Sequence, residues 1–123
     1  MTMENENMDV KKYDAGVITL HHKGAYIAKF TISWDETIDG QTKRVQWEKN
    51  GKHQTAGYYE EIALSASCDN FYIKAEVETG LAWSKWHVIF ERKELPFVPK
   101  RKIVIGGTTL HTNYTIDPDE LKK

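Results

Sequence analysis

The chain has 123 residues, with 17 lysines and arginines against 18 aspartates and glutamates and a formal net charge of −1. That length suits one domain able to bury about two-thirds of its unfolded surface. Acidic and basic residues are interspersed, which excludes nucleic-acid binding through a bulk basic field, and the lone Cys68 excludes an internal disulfide.

Residues 1–12, with Glu4, Asn5, Glu6 and Asn7 at their centre, are polar and aperiodic and read as a mobile leader. The first thirty residues lack a basic start and apolar centre, and no apolar run could span a bilayer. The expectation is a cytoplasmic chain, or one released by a leaderless route. Short strands then follow. Val17 to His21 forms the first, and in the second Tyr26, Ala28, Phe30, Ile32 and Trp34 share one core-facing side. Asp39-Gly40 marks a hairpin into Lys43 to Trp47, and Asn50-Gly51 punctuates the next connection. Further strands are expected at Tyr58 to Leu64, Phe71 to Glu78, His87 to Glu91, Lys102 to Ile105 and Leu110 to Ile116. About eight strands without a convincing helix predict an all-β protein, an antiparallel β-sandwich of two packed sheets over residues 13–118 with a tail at 119–123.

The segment Glu78-Thr79-Gly80-Leu81-Ala82-Trp83-Ser84-Lys85-Trp86-His87 crowds two tryptophans and a leucine behind a Thr-Gly turn signal. Gly80 is expected to break the strand that leads into it. Two readings fit these apolar side chains. They fold back to plug the end of the core, or they anchor in a membrane interface or receptor pocket.

That segment resembles the tryptophan-rich undecapeptide of the cholesterol-dependent, or thiol-activated, cytolysins, whose usual form is Glu-Cys-Thr-Gly-Leu-Ala-Trp-Glu-Trp-Trp-Arg. Gly24-Ala25-Tyr26, Ser33-Trp34-Asp35-Glu36, Lys52 to Tyr58, Leu95-Pro96 and Gly107-Thr108-Thr109-Leu110 are similar to the family's C-terminal domain, in the same order. The resemblance runs from about Tyr13 to Ile116. It implies a β-sandwich whose undecapeptide meets the membrane with three other loops, here Lys23-Gly24-Ala25, Gln54-Thr55-Ala56-Gly57 and Thr108-Thr109-Leu110. It also implies a sterol-recognition pair at Thr109 and Leu110, in which a hydroxyl meets the sterol's polar group and an aliphatic side chain enters the apolar layer. Without the resemblance, Thr108-Thr109 would simply shape a turn after Gly106-Gly107.

This copy departs from the family pattern at several places. Glu78 stands where the cysteine would be, Lys85 replaces one tryptophan, and His87 replaces the arginine associated with coupling membrane contact to pore assembly. The 123 residues leave no room for the family's pore-forming part, so a non-lytic module is expected. Burying Leu81, Trp83, Trp86 and Leu110 at an interface would yield about 6 to 8 kcal/mol gross, a dissociation constant no better than micromolar. Lys85 would have to keep its charge in water or among headgroups.

His22, His53, His87 and His111 each flank one of the four loops, and their ionisation would alter affinity for anionic lipid or sialylated glycan. No metal is expected, because His21 and His22 point to opposite faces and no other pair has ligand spacing. No cofactor is expected either. Cys68 has no nearby histidine, and the carboxylate pairs Asp35-Glu36 and Glu60-Glu61 split across strand faces, so a non-enzyme is predicted. The expected partner is cholesterol or another membrane sterol. The alternatives are a glycan stacked on Trp83 and Trp86, or a protein such as a larger pore-forming partner.

Overall fold

The computed structural model describes residues 15–81 and 84–119, with the side chains of Leu81 and Ser84 left aside. The expected leader, residues 120–123 of the expected tail, Ala82 and Trp83 lie outside the described residues. Every regular element among those described is a strand: β1 Gly16–His22, β2 Ala28–Ile38, β3 Gln41–Gln46, β4 Tyr59–Leu64, β5 Cys68–Leu81, β6 Ser84–Leu95, β7 Lys100–Gly107 and β8 Thr112–Asp117. They form two four-stranded sheets, ordered β4-β1-β7-β8 and β3-β2-β5-β6.

Alternation along each strand produces the sandwich. Ile18 and Leu20 of β1, Ala28, Phe30, Ile32 and Trp34 of β2, Phe71, Ile73, Ala75 and Val77 of β5, and Ile103 and Ile105 of β7 turn inward into one core. Tyr26 joins them ahead of β2, and Trp47 joins them after β3. The outward residues of β2 and β5 are polar and cross-pair, as Lys29 does with Glu76 and Thr31 with Lys74. One sheet face is therefore wet and the other dry.

Two expectations change. The sandwich is not wholly antiparallel, because β1 and β7 pair in parallel, Leu20 opposite Ile103. The long path from β1 across the other sheet to β7 permits this, since parallel neighbours need a crossover rather than a hairpin. The other ladders described are antiparallel. Second, Gly80 does not break its strand. β5 runs on to Leu81, whose backbone pairs with Ser84, and the register shifts between Glu78 and Leu81. With φ of +80°, Gly80 supplies a left-handed backbone that absorbs an irregularity in the ladder instead of ending it.

Candidate functional site

Strand direction gathers the four loops at one pole. β1 and β7 run side by side and finish together, His22 opposite Ile105. Beside them β2 sets out at Ala28, opposite Val77 near the end of β5. Segment 23–27, turn 108–111, segment 53–57 and the β5–β6 tip therefore leave the same end. Backbone bonds join them. Ala25 N–H donates to Gly107 O at 2.9 Å, Gly57 N–H to His22 O at 2.8 Å, and Glu78 N–H to Ile27 O at 2.8 Å, while Gln54 and Ala28 bond reciprocally. The turn closes through paired bonds between Thr108 and His111, each 3.1 Å.

Beneath the loops lies a buried hub of His22 and Tyr26. Gly24 N–H donates to His22 Nδ1 at 3.1 Å, so that nitrogen carries no proton. His22 Nε2 lies 2.7 Å from Tyr26 O, an acceptor, so Nε2 carries the hydrogen. Both ring nitrogens are thus satisfied only by the neutral form. Burial of the ring, fully shielded from solvent, holds its pKa below the usual histidine value. The Tyr26 ring stands 4.8 Å from the His22 ring, and its hydroxyl donates to Gly106 O at 2.9 Å. One pair of side chains thereby fixes the first loop against the root of the β7–β8 turn.

The predicted contact residues occupy different environments. Leu110 is 87 % exposed at the tip of its turn, and Thr109 beside it is half-buried. Ala25, Thr55 and Ala56 are exposed, whereas Gly24 is buried under the Tyr26 ring. Glu78 and Thr79 are half-buried, Gly80, Lys85 and His87 exposed. Ala82 and Trp83 fall outside the described residues, and of Leu81 and Ser84 only the backbone is described.

Trp86 is not a free tip. It pairs with Glu78 on the outer face of the sheet, where Lys29 Nζ lies 4.2 Å from its ring centre and the His53 ring 5.0 Å away. Its half-buried ring is packed on this chain's own surface, which narrows the anchor expected there. Lys85 Nζ stands 4.0 Å from Glu78 Oε1. Two of the residues that depart from the family pattern thus face each other across the hairpin.

The four-histidine rim is corrected as well. His53, His87 and His111 are exposed at the pole, but His22 is sealed inside. Its phase in β1 carried the signal, because Ile18, Leu20 and His22 share the inward side. Away from the pole, Cys68 is buried between Ser65 and Glu36, and burial pushes its thiol pKa up, the reverse of an activated nucleophile. Among the described residues no three His, Cys, Asp or Glu side chains converge as metal ligands would.

Fold and site define a β-sandwich that carries its loops at one end, with an exposed apolar turn among them. The chain belongs to the thiol-activated cytolysin β-sandwich domain family, which it matches over residues 17–113. Pneumolysin from Streptococcus pneumoniae serotype 2 is 41% identical over 107 residues, 83% of this chain and 23% of that protein. Listeriolysin O from Listeria monocytogenes serotype 4a is 36% identical over 114 residues, 89% of this chain and 22% of that protein. The crystal structure of listeriolysin O superposes with a TM-score of 0.80 over 85% of this chain and 22% of that one, at 36% identity. A disulfide-locked mutant of intermedilysin, solved with human CD59, gives 0.77 at 35% identity over 82% of this chain and 23% of that one. The chain therefore spans about a quarter or less of the length of these relatives.

Proposed function

We propose that this chain is a membrane-docking module that binds without catalysis and without a lytic step of its own. Its pole enters the interface, and Thr109 and Leu110 contact sterol. The observation that carries this reading is Leu110, 87 % exposed on a turn whose ends are bonded shut. Leu110 takes no part in the core and stands free to enter another surface, and its neighbour Thr109 supplies a hydroxyl. Membership of a cytolysin family supports the same direction.

Leu110 fully buried yields only about 1.5 to 3 kcal/mol, and the packing of Trp86 limits what that ring can add. Binding by one copy is weak and reversible, and firm attachment needs several copies. Sedimentation with vesicles of graded cholesterol content tests the assignment, comparing wild type with a Thr109→Gly, Leu110→Gly double variant. Wild type pellets in proportion to sterol and the variant does not. Equal pelleting of the two removes the sterol contact. A second reading, docking on a protein receptor, draws on the intermedilysin structure solved with human CD59. Wild type that ignores sterol but binds a cell-surface protein through the same pole would favour it.

A further inference from the structure

The charge of the pole names a lipid, an inference that rests on the membrane reading above. Residues 23–25, 50–57, 78–87 and 106–113 carry three lysines, Lys23, Lys52 and Lys85, against a single carboxylate, Glu78. Three minus one leaves +2 at the pole of a chain whose net charge is −1. Glu78 is the partner of Lys85. Lys23 and Lys52 are exposed, and neither has an ion-pair partner among the described residues. Elsewhere the charges mix. Lys43 stands opposite Glu36, Lys102 stands opposite Asp117, and Asp39, Asp69 and Glu94 are exposed toward the other end.

We propose that the pole prefers membranes bearing anionic phospholipid, with Lys23 and Lys52 at headgroup level while Leu110 enters the apolar layer. The apolar turn and the cations sit on adjoining loops, since Ala25 bridges to Thr108 and Gly57 bonds to His22. Lysine stems can lie along an interface while the ammonium stays among phosphates. Lys23 and Lys52 are spread over separate loops, which suits a charged plane better than one ionised group in a pocket. Each lysine near an anionic leaflet strengthens binding about fivefold, so two unpaired ones give about 25-fold at low salt, fading as salt screens them.

The test titrates wild type with phosphatidylcholine–cholesterol vesicles of increasing phosphatidylserine content, the anionic lipid of a cytoplasmic leaflet, in low and high salt. Affinity rises with phosphatidylserine in low salt and flattens in high salt. A Lys23→Gln, Lys52→Gln variant loses that slope, Lys23→Arg, Lys52→Arg restores it, and Lys43→Gln, Lys102→Gln at the far end keeps it. A wild type indifferent to phosphatidylserine overturns the proposal, as does an equal loss of slope in the far-end variant. A slope seen with a sialylated ganglioside but not with phosphatidylserine overturns it in favour of a glycan. The two readings fail separately. A sterol response without a phosphatidylserine slope defeats this one alone, a slope insensitive to sterol and to Thr109 and Leu110 defeats the sterol contact alone, and no vesicle binding defeats both.

Discussion

Adding one methyl group to Gly24 tests whether the pole is built on the His22–Tyr26 hub. A Cβ at Gly24 would sit 2.2 Å from Tyr26 Cε2 and 2.5 Å from Cζ, far inside contact distance. The ring cannot swing aside freely, because it is 8 % exposed, packs on His22 and bonds Gly106 O. Forcing it out costs about 1 to 3 kcal/mol in overpacking. Leaving the Gly106 carbonyl without its donor adds about 1 to 3 kcal/mol, and the two overlap because one movement causes both. A net loss of about 2 to 4 kcal/mol lowers the melting temperature by about 8 to 16 °C for a domain of this size. Thermal unfolding followed by near-ultraviolet circular dichroism measures it for Gly24→Ala. In a Tyr26→Ala background the same methyl is tolerated, so a double-mutant cycle shows a coupling of at least about 1 kcal/mol. A Gly24→Ala midpoint within about 3 °C of wild type, with no coupling, would refute the hub as the organiser of the loops.

His22 imposes a pH dependence whose sign follows from its lowered pKa. The unfolded chain takes up the proton near the ordinary value of 6.5 while the folded chain does not, so this contribution to stability is lost as pH falls through 6.5. Melting midpoints at pH 7.5 and 5.5 check it: wild type loses more than His22→Asn, which keeps an acceptor for Gly24 but no group titrating there, and equal losses would contradict it. Cys68, buried and with its thiol pKa raised, resists a thiol-reactive disulfide reagent in the native protein and reacts fully in denaturant. Prompt stoichiometric reaction in buffer would show the Ser65–Glu36 environment to be open. The Lys85–Glu78 contact, with Lys85 59% exposed, is worth under about 1 kcal/mol, so Lys85→Ser moves the melting midpoint by no more than about 4 °C. A larger drop would mean that the hairpin depends on that contact.

Period-two patterning made the core of this fold legible, since Tyr26, Ala28, Phe30, Ile32 and Trp34 are all buried as their alternation requires. Strand ends were less legible. β5 and β6 outrun their apolar runs at both ends, because a ladder continues wherever two backbones keep pairing, whatever the side chains prefer. Parallel pairing of β1 with β7 has no local signature, for it depends on how the chain crosses between sheets.

At the pole, the residues that shape the site and the residues that meet solvent are different, and only the second kind resembles a binding motif. His22 and Tyr26 carry no sign in the sequence of acting on Gly106, 80 positions beyond Tyr26. Their buried bonds nonetheless set where Leu110 stands, because the first loop is fastened to the β7–β8 turn through Gly107 and Thr108. The Trp86 ring shows the converse. A large aromatic in a tip-like sequence looks free, yet its cross-strand place beside Glu78 brings it over Lys29, where the cation and the ring face hold each other. Motif matching finds the residues of a pole, and the strand register decides which of them remain available to a partner.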